Sequence, residues 1–232
     1  MATPDRVAEL RQLLIDSIKR LPPGCAISLS GGLDTSIIAE ANISCPTPDL
    51  ASQEPVSHAP ITHAVTVLTS AMATDRPHSI GIAKRLNLQH TVIEYDTPLD
   101  LVRDTSLLEF TVRTLGSFDP MEIRNSAAVA RALMECKKLG LENVATGDGA
   151  DELFAGYSFL HKLDPQALKN YLVRMAKVMR FSAVPMSEAL GLKVWQPYLD
   201  AKVLEFALTC TKGRFLREDA KRSTLVERAP RR

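Results

Sequence analysis

Val7, Leu10, Leu14, Ile18 and Leu21 recur at the spacing of one helix face with charged residues opposite, and Pro22-Pro23-Gly24 ends the run. The pattern predicts an amphipathic first helix. Cys25 to Leu29 is a short apolar run beside glycines, better suited to a buried strand than to a second helix. Ser30-Gly31-Gly32-Leu33-Asp34 forms a turn, and Thr35 to Asn42 reads as helical. Strand, glycine turn and helix in that order open a parallel α/β sheet. Residues 44–60 hold four prolines among serines and other polar residues, which predicts a solvated loop or insertion.

Strand signals return at Ile61 to Leu68, rich in threonine and valine, and at Leu88 to Tyr95, where apolar residues alternate. Residues 75–87 and 98–115 read as helices. Asn125 to Leu139 predicts a helix apolar nearly all round, buried on more than one side. Leu141 to Thr146 is a fourth strand, and it too runs into a glycine-bearing polar turn, Gly147-Asp148-Gly149-Ala150-Asp151-Glu152. Ligands of open parallel sheets gather at the carboxyl ends of strands, so these two turns are expected to share one crevice. Beyond Leu153 the chain reads as mostly helical to Leu208, broken at Pro165, Pro185, Gly191 and Pro197, with Trp195 packing beneath the helices.

The length of 232 residues suits one domain spanning 1–232, and 45% hydrophobic with 24% charged residues is an ordinary globular composition. Twenty-eight Lys and Arg against 27 Asp and Glu leave a net charge of +1, so no global field draws nucleic acid or a membrane. The basic excess is local: residues 211–232 hold eight basic against three acidic side chains, the pattern of a solvated tail. Cys25, Cys45, Cys136 and Cys210 are too widely spaced for a zinc site or a disulfide framework. The histidines show no ligand spacing and read as surface or loop residues. With no leader-like start and no apolar run near the roughly 18 residues of a membrane span, a cytoplasmic protein is expected.

Ser30-Gly31-Gly32-Leu33-Asp34-Thr35-Ser36 carries the most specific chemistry. Its glycines let backbone N–H groups curl around an anion, and the following helix start adds partial positive charge. A phosphate would suit that turn, but Asp34 would repel it. Magnesium between the carboxylate and the phosphate oxygens resolves the conflict. The string is not the GxxxxGK[ST] loop of kinases and GTPases, and the GxSxG turn of serine hydrolases is missing.

SGGLDTS at 30–36 resembles the pyrophosphate-binding loop of N-type ATP pyrophosphatases, and GDGADELFAGY at 147–157 resembles the second signature of asparagine synthetases. DPMEIRNS at 119–126 and VWQPYLD at 194–200 extend the resemblance, which covers roughly residues 20–217 and the synthetase domain only. It implies an adenine nucleotide alpha hydrolase-like fold, a parallel sheet of about five strands flanked by helices, with a mostly helical C-terminal part. Carried over by position, Ser30, Gly31, Gly32, Thr35 and Ser36 hold the pyrophosphate of ATP. Leu29 and Val65 offer backbone or apolar contacts to the adenosine. Thr146 and Gly147 touch the nucleotide from the other strand end, and Asp34 and Asp151 ligate Mg2+. Arg124 takes a positioning role or an ion pair with Glu122 or Asp119, while Glu152, Leu153 and Phe154 are structural.

Two positions depart from the family pattern. Asp148 stands where asparagine synthetases carry a glutamate important for forming the acyl-adenylate, and Gly213 stands where they carry a lysine, with Lys212 beside it as the substitute. The resemblance implies AMP-forming ligation of a small-molecule carboxylate with ammonia or an amine. In the family the glutamine-hydrolysing half begins with a nucleophilic cysteine right after the initiator methionine; residue 2 here is Ala2, so no counterpart of that half is expected and a separate glutaminase chain is the expected partner when glutamine is the nitrogen source. The alternatives are another adenylating enzyme of the wider group, or a nucleotide-binding or partner-binding protein that has lost catalysis.

Overall fold

The computed structural model describes residues 5–43, 59–70 and 72–210. Helix α1 (Arg6–Ile18) leads into strand β1 (Cys25–Ser28) and helix α2 (Leu33–Ile43). After β2 (Ile61–Leu68) come α3 (Arg76–Arg85), β3 (Gln89–Glu94), α4 (Pro98–Arg103), α5 (Thr105–Leu115) and α6 (Pro120–Lys138). The remainder is β4 (Asn143–Ala145), α7 (Ala150–Phe154), a 3-10 turn at Ser158–Lys162, α8 (Pro165–Val178), α9 (Ala183–Leu190), β5 (Lys193–Trp195), a 3-10 turn at Pro197–Leu199 and α10 (Ala201–Leu208).

All five strands are parallel, in the order β3-β2-β1-β4-β5. The chain builds outward from β1 to β3, returns to place β4 on the other side of β1, and then adds β5. The direction of building therefore reverses between β1 and β4, the point at which open α/β sheets leave a crevice. Alternation of side chains sends Ile27 to the face covered by α1 and α2, where it packs with Leu14, Ile18, Leu29 and Ile38. Ala26 faces the other side with Val65, Ala127, Ala130, Leu133, Val144 and Met186. Small residues on α6 let it lie close against the sheet on one side while α5 and α9 pack on others, as its all-round apolar pattern predicts.

Several boundaries differ from the sequence expectation. The helix expected over 98–115 is two, because the Asp104 carboxylate accepts from the Ser106 and Leu107 N–H groups at 3.1 Å each and caps a new start. The apolar helix begins earlier, at Pro120, with Asp119 as its N-cap and proline where no N–H bond is lost. Pro185 does not interrupt α9, since it sits in the first turn. The stretch expected as helical contains β5, and Trp195 lies on that strand rather than beneath a helical layer, its Nε1 donating to Asn143 Oδ1 at 3.1 Å. Most of the proline-rich stretch and all of the basic tail fall outside the described residues. No described helix is long and apolar enough to cross a membrane.

One buried side chain joins the two ends of the stretch between α2 and β2. Asn42 donates through Nδ2 to the Ile61 carbonyl at 2.9 Å and accepts from the Ile61 N–H at 3.0 Å. Asn42→Leu strands both backbone groups in the interior, and an unfolding free energy lower by about 2 kcal/mol or more is expected in urea titration with an unchanged slope. A wild-type midpoint would show that the clamp carries no stability.

Cys25 and Cys136 are fully buried, and burial above all pushes both thiols up to about 12. Raised native values mean that the protonated thiols favour the fold fully below the ordinary value near 9. That contribution is lost as pH rises toward 12 and the unfolded thiols ionise. Peptide-resolved alkylation at about pH 8 is expected to leave both unlabelled in the native protein and to label both in denaturant. Equal labelling in the two states would contradict their burial.

Candidate active site

The turn after β1 is pinned from below before it opens. Leu29 donates its N–H to the Val65 carbonyl at 2.9 Å, and its own carbonyl accepts from Thr66 Oγ1 at 2.6 Å. The Thr66 hydroxyl has one proton and gives it to Leu29, so the contact to His90 Nε2 at 2.8 Å requires the imidazole to donate. Burial lowers the His90 pKa and favours that neutral form. His90 is thus a strand residue with a fixed tautomer, not the surface histidine its spacing suggests.

Gly31 follows with φ +87°, and a Cβ there would stand 2.6 Å from the Asp75 carbonyl and 2.9 Å from the Ser79 N–H nitrogen. Only glycine lets the turn approach the start of α3 so closely. Ser30 Oγ lies 3.1 Å from Thr35 Oγ1 and accepts from the Gly32 N–H at 3.1 Å, while Ser36 Oγ donates to the Gly32 carbonyl at 2.5 Å. The serines and threonine of the motif thereby shape the turn as well as lining it. Tyr198 donates to the Asp34 carbonyl at 3.1 Å and anchors the start of α2.

The turn after β4 meets this one directly. A Cβ on Gly147 would lie 3.0 Å from Thr35 Cγ2 and 3.2 Å from Asp34 Cβ, so the two turns touch across a glycine. Thr146 donates its N–H to the Trp195 carbonyl at 2.9 Å and its hydroxyl to Asp148 Oδ2 at 2.7 Å. Gln196 Nε2 reaches the same oxygen at 2.8 Å. One cavity of about 340 Å³ opens between the turns, with Ser30, Asp34, Thr35, Thr146, Gly147, Asp148 and Asp151 on its wall. The shared crevice expected from the sequence is present.

Four carboxylates line it: Asp34, Asp148, Asp151 and Glu152. Burial, then the charges of Asp151 and Glu152, raises Asp34 to about 6. Burial also raises Asp148, partly offset by the bonds from Gln196 and Thr146, and burial with the Glu152 charge raises Asp151. Tyr157 donates to Glu152 Oε1 at 2.5 Å, and burial followed by that bond raises the phenol. No lysine or arginine is among the described lining residues. A hard divalent cation is what such an oxygen-rich, charge-uncompensated wall accepts. Among the described residues no group of three or more His, Cys, Asp or Glu forms a ready cage, but magnesium needs only one or two carboxylates when phosphates and water complete its shell. The donor set therefore fits Mg2+ together with a nucleotide.

Not every expected site residue is on the cavity wall: Leu29 and Val65 are buried in the sheet, while Gly31 and Gly32 in the turn and Ser36 in the first turn of α2 alternate with Ser30, Asp34 and Thr35, which line it. Lys212 and Gly213 lie outside the described residues. Arg124 forms neither expected ion pair: it donates to Asn125 Oδ1 at 3.2 Å, while Asp119 caps α6 and Glu122 accepts from Ser117. Glu152 is on the cavity wall rather than only structural, and Tyr157, Phe181 and Val129 join it there. Glu152 and Tyr157 are readable in GDGADELFAGY as a carboxylate and phenol five residues apart, whereas Gln196 stands within VWQPYLD but its contact with Asp148 depends on β5.

The asparagine synthase family profile matches residues 9–183. Asparagine synthetase B [glutamine-hydrolyzing] of Escherichia coli K12 is 29% identical over 215 residues, covering 86% of this chain and 37% of that protein. A probable asparagine synthetase of Schizosaccharomyces pombe is 29% identical over 217 residues, with the same two coverages. This chain thus spans little more than a third of the length of these two relatives. A solved U34-tRNA thiolase from Methanococcus maripaludis superposes with a TM-score of 0.49 at 13% identity, over 87% of this chain and 63% of the other. A profile match over most of the chain, falling on the strands and turns that build the cavity, establishes that this chain belongs to the asparagine synthase family.

Proposed function

We propose that this domain uses ATP to activate a small-molecule carboxylate and passes the acyl group to ammonia or an amine. The observation that carries this reading is the single cavity at which the SGGLDTS turn meets the GDGADELFAGY turn. Family membership supports it, with aspartate as the reference substrate because the curated relatives are named asparagine synthetases. A substrate carboxylate oxygen attacks the α-phosphorus of ATP as the bond to pyrophosphate breaks. Nitrogen then bonds to the acyl carbon, AMP leaves with the bridging oxygen, and a proton departs from nitrogen.

Ser30, Gly31, Gly32, Thr35 and Ser36 bind the pyrophosphate portion, and Thr146 and Gly147 hold the nucleotide from the facing turn. Asp34 and Asp151 would hold Mg2+, which supplies the positive charge that lets phosphates stand beside carboxylates. Asp148 is the carboxylate assigned to the acyl-adenylate step, and Lys212 the cation assigned to the leaving pyrophosphate. A separate glutaminase chain is the proposed partner when glutamine supplies nitrogen.

Incubation with ATP, Mg2+, ammonia and a panel of carboxylates is expected to release pyrophosphate and AMP in equal amounts with one of them, and ADP with none. Formation of ADP, or no carboxylate-dependent release, would overturn the reaction type. Exchange of Asp34 or Asp151 for Asn is expected to weaken ATP binding about tenfold or more when Mg2+ is present and far less in its absence, by calorimetry. Equal affinity of all three proteins in both conditions would rule out a shared metal.

A further inference from the structure

The register of β5 on β4 brings together two donors from distant parts of the chain. Ala145 faces Trp195, so Thr146 and Gln196 leave the two strands side by side, held by the Thr146 N–H bond to the Trp195 carbonyl. Both side chains then converge on Asp148 Oδ2, Thr146 Oγ1 at 2.7 Å and Gln196 Nε2 at 2.8 Å. A carboxylate oxygen only accepts, which makes the Gln196 group at that distance its NH₂. Two donors on one oxygen fix both the position and the plane of the carboxyl group, and they leave Oδ1 as the oxygen offered to the cavity that Asp148 lines.

Sequence proximity alone does not achieve this. Thr146 lies two residues from Asp148 and could follow it through a turn rearrangement, whereas Gln196 is 48 residues away and is fixed by the sheet. A one-residue slip of β5 would turn Gln196 to the opposite side. Gln196 itself lines a different cavity, of about 300 Å³, with Arg20, Trp195 and Asp200, and it meets the acidic one only through Asp148.

We infer that Gln196 is a positioning residue for Asp148, holding Oδ2 so that Oδ1 alone is presented to the bound substrate. This assignment rests on the proposed reaction in making Asp148 catalytic. Its structural half, the coupling of Gln196 to Asp148, stands apart from any activity.

The test is a double-mutant cycle in the full chain with Gln196→Met, Asp148→Ala and both together. Methionine fills nearly the same volume and lacks the donor, so a packing role predicts little change. The expected result for Gln196→Met is a turnover at least tenfold lower, with ATP affinity by calorimetry within twofold of wild type. In the Asp148→Ala background the same exchange should cost less than threefold, because Gln196 acts only through that carboxylate. A Gln196→Met enzyme as active as wild type, or losses that multiply in the double variant, overturns the inference. The unfolding equilibrium of the four proteins is the activity-independent arm, with a coupling of about tenfold expected for a charged hydrogen bond. If wild type turns over no carboxylate, the proposed reaction fails, and this second cycle still decides: coupling upholds the Gln196–Asp148 pairing, and strict additivity overturns it.

Discussion

Parallel pairing of β1 with β4, through Ala26 with Val144 and Ile27 with Ala145, sets two chain reversals from opposite halves of the domain against each other. The contact is short, and much of the remaining architecture serves it. α6 supplies alanines beneath β1 and β2, so the helix lies close enough to cover that face of the sheet beside the pair. Thr66 on β2, itself bonded to His90 on β3, holds the end of β1. Gly147 then lets the second turn close on Asp34 and Thr35. A side chain at that glycine would push apart the two walls on which the cavity depends.

The electrostatics of this crevice contrast with those of a structural carboxylate elsewhere in the molecule. Glu135 is buried on α6, yet Arg131 at 3.0 Å and Lys138 at 3.1 Å compensate it. Burial opposes its ionisation, and the bonds from Lys138 and Arg131 outweigh that penalty and hold its pKa low. Asp34, Asp148, Asp151 and Glu152 have no such cations among the described residues around the cavity. The fold thus neutralises an acid that serves structure and leaves uncompensated the acids that face the crevice. Repulsion among these acids is relieved when cationic charge enters, which would couple the binding of the metal and nucleotide proposed for this crevice.

The strands with long apolar or alternating runs were legible in the sequence, as were the glycine turns that follow β1 and β4. Those signals are local: a buried strand reads as a run, and a turn reads as glycine. β5 was not legible because Lys193–Trp195 is too short to show a period, and it becomes a strand only by pairing with β4. The pairing of Gln196 with Asp148 is hidden with it, although Gln196 itself stands in the VWQPYLD string. The break at Asp104 was missed for another reason, since the apolar pattern runs on through a cap that acts by hydrogen bonding rather than by hydrophobicity. Within the site, Asp34, Asp148 and Asp151 were found by motif. Glu152 reads from the sequence as a capping residue after Asp151, and only the cavity places it on one wall with the other acids.

The Asn42 clamp has a consequence for how the domain tolerates change. By bonding both the N–H and the carbonyl of Ile61, it closes the connection between α2 and β2 at its base, whatever number of residues intervenes. For a flexible connection closed at its base, doubling the number of intervening residues costs only about 0.6 kcal/mol of closure entropy. The sheet is therefore insulated from length variation there. That makes this connection the natural place for the domain to acquire a graft, such as a tag, a recognition segment or a second folded unit, while the crevice at β1 and β4 keeps its geometry.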